Sequence, residues 1–378
     1  MNSDPDAKRS LACPQQHPDV LQATLDDEIL VYHPDDTTAF ALNETASVIW
    51  QLCNGERRVD EIVEILQKAY PEAAATMPRE VDEGILALLS HGVIRLPRVG
   101  ASAATYHVGL GGATVRLEAD DADAARILDF LCAPAALPAA ADPSATFRLG
   151  AATGSMAIYC DDAMLYRSPS QTSVAAIFLE RVLEHLIHSC TGGILLHAAA
   201  VARDGKALVL AGKTGAGKTT LATRLVCRGF DYLTDELLHI DTQAMCVSGF
   251  ARPLHLKEPA RALFAGVIDV NGGDAIMASP QGTHVSPARL GARVARLARP
   301  CALVLPAYRA GAPLDLRPLP KAHAATRLMG CLVNARERPQ HGFGEVAGLV
   351  QTVPAFAMTY SDFKEAGAQL EAMLGSFD

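Results

Sequence analysis

The segment Gly212-Lys-Thr-Gly-Ala-Gly-Lys-Thr219 constrains the fold of this chain more than any other feature. It matches the pattern GxxxxGK[ST] at every fixed position. The apolar stretch KALVLA (206–211) precedes it and predicts a buried strand, and TTLATRLVCRG (219–229) predicts a helix that ends at Gly229. Glycines in such a loop let backbone N–H groups surround phosphate oxygens, and the helix start adds partial positive charge. The sequence therefore predicts a phosphate-binding loop in an α/β domain.

The predicted ligand is ATP, or another nucleoside triphosphate, together with Mg²⁺. We expect Lys218 to span the β- and γ-phosphates and the Thr219 hydroxyl to hold the metal ion. The nucleotide preference stays open at this point. The residues assigned to the nucleotide are Gly212, Lys213, Thr214, Gly215, Ala216, Gly217, Lys218, Thr219 and Thr220.

The flanks of the loop add candidate catalytic residues. HAAAVARDGKALVLAG (197–212) contains Asp204-Gly205 between two β-rich stretches, which predicts a hairpin whose second arm feeds the loop. His197 begins that hairpin. DYLTDELLHI (231–240) predicts a further strand that contains Asp235 and Glu236. Adjacent residues of a strand point to opposite faces, so only a reversal of the chain there would bring both acids to one site.

The histidine, the hairpin, the GxxGxGK[ST] pattern and the acidic pair together resemble the bacterial HPr kinase/phosphorylase family, and more distantly phosphoenolpyruvate carboxykinase. The resemblance covers roughly residues 185–370. It implies a kinase in which Asp235 is the base toward a serine hydroxyl, Glu236 is a ligand on the metal side and His197 supports them.

This chain departs from the family in two places. Its acidic pair is Asp-Glu rather than Asp-Asp, which leaves open which acid is the base. FARPLHLK (250–257) replaces the glycine-rich block that the family links to its phosphorylase activity, so a reverse reaction is not implied. Arg252 and Lys257 of this segment are candidate contacts to phosphate or substrate.

The first part of the chain has a different character. Residues 1–98 contain 8 Lys and Arg against 17 Asp and Glu, which accounts for the whole formal net charge of −9. Such a charge disfavours binding to nucleic acid. Strands over 29–33 and 37–43, an N-cap at Asn43 and helices ending near 53, 70 and 91 predict a winged-helix-like unit.

Leu42-Asn43-Glu44-Thr45-Ala46, Ile49-Trp50, Gly55 and Val59-Asp60-Glu61-Ile62-Val63 resemble the PqqD family of peptide chaperones, over about residues 18–98. The resemblance implies that a precursor peptide adds its leader as a strand to an exposed edge. It assigns that edge to Thr38, Phe40 and Leu42, with the helix at 60–70 completing the groove.

The predicted fold class is α/β, with four parts. We expect a flexible tail over 1–17, a PqqD-like domain over 18–98, a β-rich middle segment over 99–184 and an HPr-kinase-like P-loop domain over 185–378. Hydrophobic residues make up 49% of the chain, yet no apolar run is long enough for a membrane span, and the N-terminus lacks a signal-peptide core. Nine scattered cysteines without a CxxC pair favour a cytoplasmic location.

The expected function is phosphorylation of a Ser or Thr hydroxyl in a ribosomally made precursor peptide, of the lasso type or a related one. A small-molecule kinase and a nucleotide-gated peptide chaperone without catalysis are the alternatives. The expected partners are the precursor peptide and, beyond it, other peptide-maturation enzymes or further copies of the chain, with no role for nucleic acid or membrane. A helix over 286–300 would align Arg289, Arg293, Arg296 and Arg299 as one basic stripe.

Overall fold

The computed structural model describes residues 13–26, 28–34, 38–97, 101–139, 142–152, 155–264, 266, 276–279 and 282–377. The described residues form two compact units. The first takes its residues from Met1–Thr105, Leu117–Ala125 and Ala145–Phe178, and the second from Tyr106–Arg116, Arg126–Ser144 and Leu179–Asp378.

The beginning of the chain folds into short strands and three helices, as the sequence predicted. The elements are β1 (Gln15–Gln16), β2 (Leu21–Leu25), β3 (Glu28–His33), β4 (Thr38–Leu42), α1 (Glu44–Leu52), α2 (Val59–Ala69), α3 (Met77–Ser90) and β5 (Ile94–Arg95). Strands β2, β3 and β4 form an antiparallel sheet in that order, and β1 pairs with β5.

Local signals explain where these helices begin. The Asn43 side chain accepts a hydrogen bond from the Ala46 N–H at 2.8 Å, which satisfies a donor of the first turn of α1. Trp50 and Ile62 point into the core, where they are at most 2% exposed. Ala157, Tyr159 and Met164 belong to the same core, so a cut of the chain at residue 98 would leave that core incomplete.

Part of the predicted N-terminal tail is ordered. Gln15 and Gln16 pair with Arg95 and Ile94, and the Gln16 N–H donates to the Cys53 carbonyl at 3.0 Å. Backbone hydrogen bonds therefore hold residues 14–17. This finding corrects the prediction of a flexible tail over 1–17 for these residues; residues 1–12 lie outside the described residues.

The chain between residues 101 and 188 contains five strands and two α-helices in its described part, and its residues are divided between the two units. The elements are β6 (Ala104–Leu110), β7 (Ala113–Ala119), α4 (Ala122–Cys132), β8 (Thr146–Ala152), β9 (Ser155–Cys160), β10 (Ala163–Ser168) and α5 (Gln171–His188). The five strands form one sheet with the order β10-β9-β8-β7-β6.

The rest of the chain forms an eight-stranded sheet and a three-stranded sheet. The strands are β11 (Ile194–Arg203), β12 (Lys206–Ala211), β13 (Asp231–Thr234), β14 (Leu237–Asp241), β15 (Cys246–Gly249), β16 (Leu254–Leu256), β17 (Ile276–Ser279), β18 (Gly282–Val285), β19 (Arg299–Tyr308), β20 (Asp315–Pro318) and β21 (Ala355–Tyr360). The large sheet has the order β15-β14-β11-β12-β19-β21-β20, and β13 also pairs with β11. The small sheet has the order β16-β18-β17.

Helices cover both faces of the large sheet, because its central strands alternate between two apolar cores. In β12, Leu208 and Leu210 belong to one core and Ala207 and Val209 to the other. The helices of this part are α6 (Lys218–Val226), α7 (Glu258–Arg261), α8 (Lys321–Met329), α9 (Phe343–Thr352) and α10 (Phe363–Gly375). Residues of α6 and α10 belong to the first core, and residues of α8 and α9 belong to the second.

The predicted basic stripe over 286–300 is wrong. Only Pro287–Leu290 is helical, as a single 3₁₀ turn that ends at Gly291 with φ +69°. Beyond it, Arg293 pairs with Asp231 at 3.0 Å, the Arg296 side chain donates to the Ala136 carbonyl, and Arg299 begins β19. A left-handed glycine stops the turn, so the four arginines never share a helix face.

No helix in the described part of the chain is both long enough and apolar enough to cross a membrane.

Candidate active site

The structure confirms the predicted strand, loop and helix around the glycine-rich segment. Strand β12 ends at Ala211 and α6 begins at Lys218, with Gly217 as its N-cap residue at φ +89°. A Cβ atom on Gly217 would collide with the Tyr360 hydroxyl, which donates to the Ala216 carbonyl at 3.2 Å. Position 217 therefore requires glycine both for its backbone conformation and for space.

Lys218 is folded back onto the loop. Its ammonium group donates to the Gly212 carbonyl at 2.7 Å and to the Lys213 carbonyl at 3.3 Å, and the residue is 6% exposed. Burial lowers the pKa of Lys218, although the charges of Glu236 and Asp235 oppose that effect. The hydrogen-bond partners of this ammonium group are therefore carbonyl oxygens of the loop itself.

Strand pairing places His197 between the glycine-rich loop and the acidic pair. On one side of β11, Ala198 pairs with Ala211, the last residue before the loop. On the other side, His197 pairs with Leu237, the residue that follows the acids. The His197 Nδ1 atom lies 2.8 Å from Glu236 Oε1. The sequence predicted that His197 supports the acids, with the base Asp235 as its neighbour; in the structure its contact is to Glu236.

The two acids lie between strands and not within one, which corrects the predicted continuous strand over 231–240. Strand β13 ends at Thr234 and β14 begins at Leu237. The Thr234 hydroxyl accepts hydrogen bonds from the N–H groups of Glu236 and Leu237, both at 3.2 Å. This turn releases Asp235 and Glu236 from strand alternation, so both carboxylates reach the same cation, Arg252.

Asp235 is the buried member of the pair. Its side chain has no exposed surface, and its Oδ1 atom accepts from the Tyr232 hydroxyl at 3.0 Å and from Arg252 Nε at 3.1 Å. Burial, and then the nearby Asp235 charge, raise the pKa of Tyr232 well above its ordinary value, so Tyr232 stays a donor. Within the described residues, Asp235 Oδ2 is buried and has no hydrogen-bond partner.

Glu236 is the accessible member of the pair, with a side chain that is 35% exposed. Its Oε2 atom lies 2.6 Å from Arg252 Nη2. Burial alone would raise the pKa of Glu236, but the hydrogen bond from His197 and the charges of Arg252, His197 and Lys218 lower that pKa to about 2. Glu236 is therefore ionised at neutral pH and is a weak proton acceptor.

Arg252 neutralises the acidic pair. Burial opposes its charge, but Asp235 and Glu236 outweigh burial and raise the pKa of Arg252. The sequence proposed Arg252 and Lys257 as contacts to phosphate or substrate. In the structure Arg252 contacts the two carboxylates, and Lys257 is an exposed residue directly before α7. Their contacts to a ligand stay predictions.

Several residues of this site were not predicted from the sequence. Tyr232 and Thr234 precede the acids in β13, and neither belongs to a recognisable motif. Asn334 is fully buried and holds the start of β11, because its side chain accepts from the Leu195 N–H at 2.8 Å and donates to the Gly193 carbonyl at 3.3 Å. The Cys331 carbonyl accepts from the His197 N–H at 2.8 Å. The contacts of Asn334 and Cys331 join distant parts of the chain, so no local signal could have found these two residues.

The oxygen donors at this site fit Mg²⁺. In the described part of the chain, no three His, Cys, Asp or Glu side chains converge as a metal site. The Thr219 hydroxyl and the Glu236 carboxylate are hard oxygen donors, and Mg²⁺ ordinarily combines one or two such protein ligands with phosphate oxygens and water. The predicted metal ligands Thr219 and Glu236 therefore suit an ion that arrives with a nucleotide.

A pair of histidines lies within electrostatic reach of the acids. His255 and His284 face each other across β16 and β18, with ring centroids 4.3 Å apart and planes 6° from parallel. Burial and the nearby His255 and Arg252 charges lower the pKa of His284 to about 4, while Asp235 opposes them. The ordinary value for histidine is about 6.5.

This shift predicts how stability depends on pH. Between pH 6.5 and 4 the unfolded chain protonates position 284 while the folded chain does not, so the free energy of unfolding falls as the pH falls, by up to about 3 kcal/mol. We expect His284→Gln to remove much of that decrease in denaturant titrations at pH 7, 5.5 and 4.5. The exposed His323 provides the control variant His323→Gln, and identical pH dependence of wild type and His284→Gln would contradict the assignment.

The strand predicted as the leader-binding edge is β4, which lies at one side of its sheet. Among the described residues, β4 pairs only with β3, so its other edge has no strand partner. Phe40 is half-buried, and its ring centroid lies 4.5 Å from that of His91, directly after α3. Leu42 is a core residue at 5% exposure, and Phe40 contacts the end of α3. The roles of Thr38, Phe40, Leu42 and the helix at 60–70 in leader binding stay predictions. Thr38 is the first residue of β4.

Comparison with known proteins bears on the first domain. Residues 28–94 match the family model for Coenzyme PQQ synthesis protein D (PqqD). No curated protein matches the chain. A structure of TbiB1 in complex with the TbiA(beta) leader peptide is 26% identical over 23% of this chain and 99% of that one, with a TM-score of 0.21. The Hpr(Ser) kinase/phosphatase from Coxiella burnetii is 11% identical over 48% of this chain and 93% of that one, with a TM-score of 0.26. The chain therefore contains a PqqD-like domain at residues 28–94 within a mixed α/β structure.

Proposed function

We propose that this protein transfers the γ-phosphoryl group of ATP, or of another nucleoside triphosphate, to a Ser or Thr hydroxyl of a ribosomally synthesised precursor peptide. The observation that carries the proposal is the convergence of Lys218, His197 and the acidic pair at the end of β12, set by the register of β11 with its two neighbours. Such a cluster offers a phosphate cation and carboxylates of contrasting environment in one place.

Lys218 and Glu236 have the properties that the phosphate side of such a site requires. Phosphate oxygens would replace the carbonyl partners of the Lys218 ammonium group, a stronger charge-assisted pairing. Glu236 remains ionised at neutral pH because of its low pKa, which suits a metal ligand. Mg²⁺, when bound through Thr219 and Glu236, neutralises phosphate charge.

Asp235 is the proposed base. Tyr232 and Arg252 fix its Oδ1 atom, which leaves Oδ2 as the oxygen with a free lone pair. As the acceptor oxygen forms its bond to the γ-phosphorus, the bond from phosphorus to the nucleoside diphosphate oxygen breaks, and the hydroxyl proton passes to Asp235 Oδ2. His197 holds Glu236 through their 2.8 Å contact and so positions the second carboxylate.

The PqqD-like domain supports a peptide as the substrate class. An extended peptide can pair with the unpartnered edge of β4, so that main-chain hydrogen bonds give affinity and side-chain contacts give specificity. Because the binding domain and the proposed kinase share one chain, a bound precursor has a raised effective concentration at the acceptor site.

Phe40 tests this edge. We expect Phe40→Ala to raise KM for a leader-bearing precursor about tenfold, because the ring is an anchor beside the free edge, and to leave kcat unchanged. The control is Leu25→Ala, which removes an apolar side chain that is 58% exposed on the opposite edge strand β2. Equal KM values for wild type and Phe40→Ala would contradict leader binding at β4.

The test of the proposed function uses the full chain with Mg·ATP and every short precursor-like peptide that sequencing of the gene's surroundings identifies. We expect one of these peptides to gain the mass of one phosphoryl group, located on a Ser or Thr by fragmentation. Binding of Mg·ATP without phosphorylation of any peptide would contradict the proposal.

A further inference from the structure

An aromatic cluster lies at the same edge of the sheet as the glycine-rich loop. Strands β12, β19 and β21 are parallel neighbours, so their carboxyl ends meet at one edge. The loop follows β12, Tyr308 is the last residue of β19, and Tyr360 is the last residue of β21. Ligands of open α/β sheets bind beyond the carboxyl ends of such strands.

The cluster has a buried base and an exposed outer ring. Tyr308 stacks on Phe363 with centroids 5.4 Å apart and planes 16° from parallel, and Tyr360 meets both rings edge-on at 5.8 and 5.2 Å. Tyr360 is fully buried, whereas Tyr308 is 45% exposed. The packing of Tyr360 and Phe363 therefore holds Tyr308 in place while much of its surface stays open to solvent.

The cluster is continuous with the glycine-rich loop. The Tyr360 hydroxyl bonds the Ala216 carbonyl at 3.2 Å, and a Cβ atom placed on Gly217 would lie 3.4 Å from Phe363 Cε1. A molecule whose phosphates occupy the loop therefore has the Tyr308–Phe363 stack as a neighbouring apolar surface.

Two polar side chains next to the stack, Ser361 and Asp362, are engaged with the backbone of the chain. The Ser361 hydroxyl donates to the Ala312 carbonyl at 2.7 Å. Asp362 Oδ1 accepts from the N–H groups of Lys364 and Glu365 at 2.6 and 3.0 Å and caps α10. These groups are committed to local structure, so they are poorly placed to read the edge of a base.

We propose that the exposed face of Tyr308 binds the purine base of the nucleoside triphosphate by stacking. This inference rests on the proposed function, since it takes the triphosphate to lie on the glycine-rich loop. Stacking contacts the face of the base and not the hydrogen-bonding groups at its edge, so the affinity depends on the area of the ring system. We therefore expect adenine and guanine to bind alike and the smaller pyrimidines to bind more weakly.

The test compares nucleotides with inorganic tripolyphosphate, which carries the phosphates and no base. Calorimetric titrations of the full chain with the Mg²⁺ complexes of ATP, GTP, CTP and tripolyphosphate give the four dissociation constants. We expect Tyr308→Ala to raise Kd for ATP and GTP about tenfold and to leave Kd for tripolyphosphate unchanged. Tyr308→Phe keeps the ring and should bind all four ligands as wild type does.

Phe343→Ala is the matched control. Phe343 is 62% exposed at the start of α9, which packs on the opposite face of the sheet from α10, so its loss should leave all four constants unchanged. Thermal melts of each variant establish that it is folded, and Tyr308→Leu replaces Tyr308→Ala if the alanine variant is not.

Three results would overturn the inference. Unchanged Kd values for ATP and GTP in Tyr308→Ala would show that the base lies elsewhere, and an equal loss for tripolyphosphate would show that the ring acts through the loop. CTP binding as tight as ATP binding in wild type would contradict recognition by stacking area. Failure of wild type to bind either ATP or tripolyphosphate is a distinct result, because it would refute the proposed function itself.

Discussion

Replacing Lys218 by alanine is expected to lower the rate of phosphoryl transfer by about three orders of magnitude. Lys218 is the buried cation of the glycine-rich loop, and its ammonium group is the one that would meet the β- and γ-phosphates. Its removal takes away charge stabilisation where negative charge develops. We also expect weaker binding of Mg·ATP, measured by calorimetry, because the same cation binds the ground-state phosphates.

Two controls separate this effect from a loss of structure. Thermal unfolding of Lys218→Ala reports on the hydrogen bonds that Lys218 makes to the loop carbonyls. Lys321→Ala removes a lysine at the start of α8 whose ammonium group contacts Gln351, and it should transfer phosphate at the wild-type rate. A folded Lys218→Ala variant with wild-type activity would contradict the assignment of the loop.

Asp235→Asn is expected to lower kcat by about 10²–10⁴-fold while the affinity for Mg·ATP stays unchanged. The amide keeps the size of the carboxylate but cannot take up the hydroxyl proton at the position of Oδ2. Single-turnover kinetics with excess enzyme measure the chemical step directly. If the protein were instead a nucleotide-gated chaperone, Asp235→Asn would keep full function, because delivery of a peptide requires binding and no base.

Glu236→Gln distinguishes the roles of the two acids. If Glu236 is the metal ligand, this variant needs a higher Mg²⁺ concentration for half-maximal activity and recovers much of its rate when Mg²⁺ is saturating. A Glu236→Gln variant that is inactive at every Mg²⁺ concentration, beside an active Asp235→Asn variant, would assign the base to Glu236.

Local sequence signals predicted much of the fold. Asp204-Gly205 specified the hairpin before the loop, and the structure gives these residues φ values of +53° and +76°, as a two-residue turn with positive φ at both central positions requires. Asn43 specified the start of α1, and the glycine pattern specified the strand, loop and helix at 206–226. Each of these features depends on residues that are close together in the chain.

The remaining features depend on contacts between distant residues or on local turns without a strong sequence signature. Arg252 joins the two acids from a loop between β15 and β16, and the turn at Thr234 that aligns those acids has no strong sequence signature. Residues 286–300 have helical spacing of their arginines, but Gly291 and the pairing of β19 with β12 override it. The Tyr308–Phe363 stack forms only because two parallel strands end side by side.

The measurement that tests the central claim most directly is an experimental structure of the chain with a non-hydrolysable ATP analogue and Mg²⁺. We expect the triphosphate on the loop between Gly212 and Thr219, the Glu236 carboxylate on the metal side, and Asp235 Oδ2 facing the γ-phosphate across a space that admits a hydroxyl group. Acidic side chains directed away from the γ-phosphate, with no path for a hydroxyl group to reach it, would contradict the account.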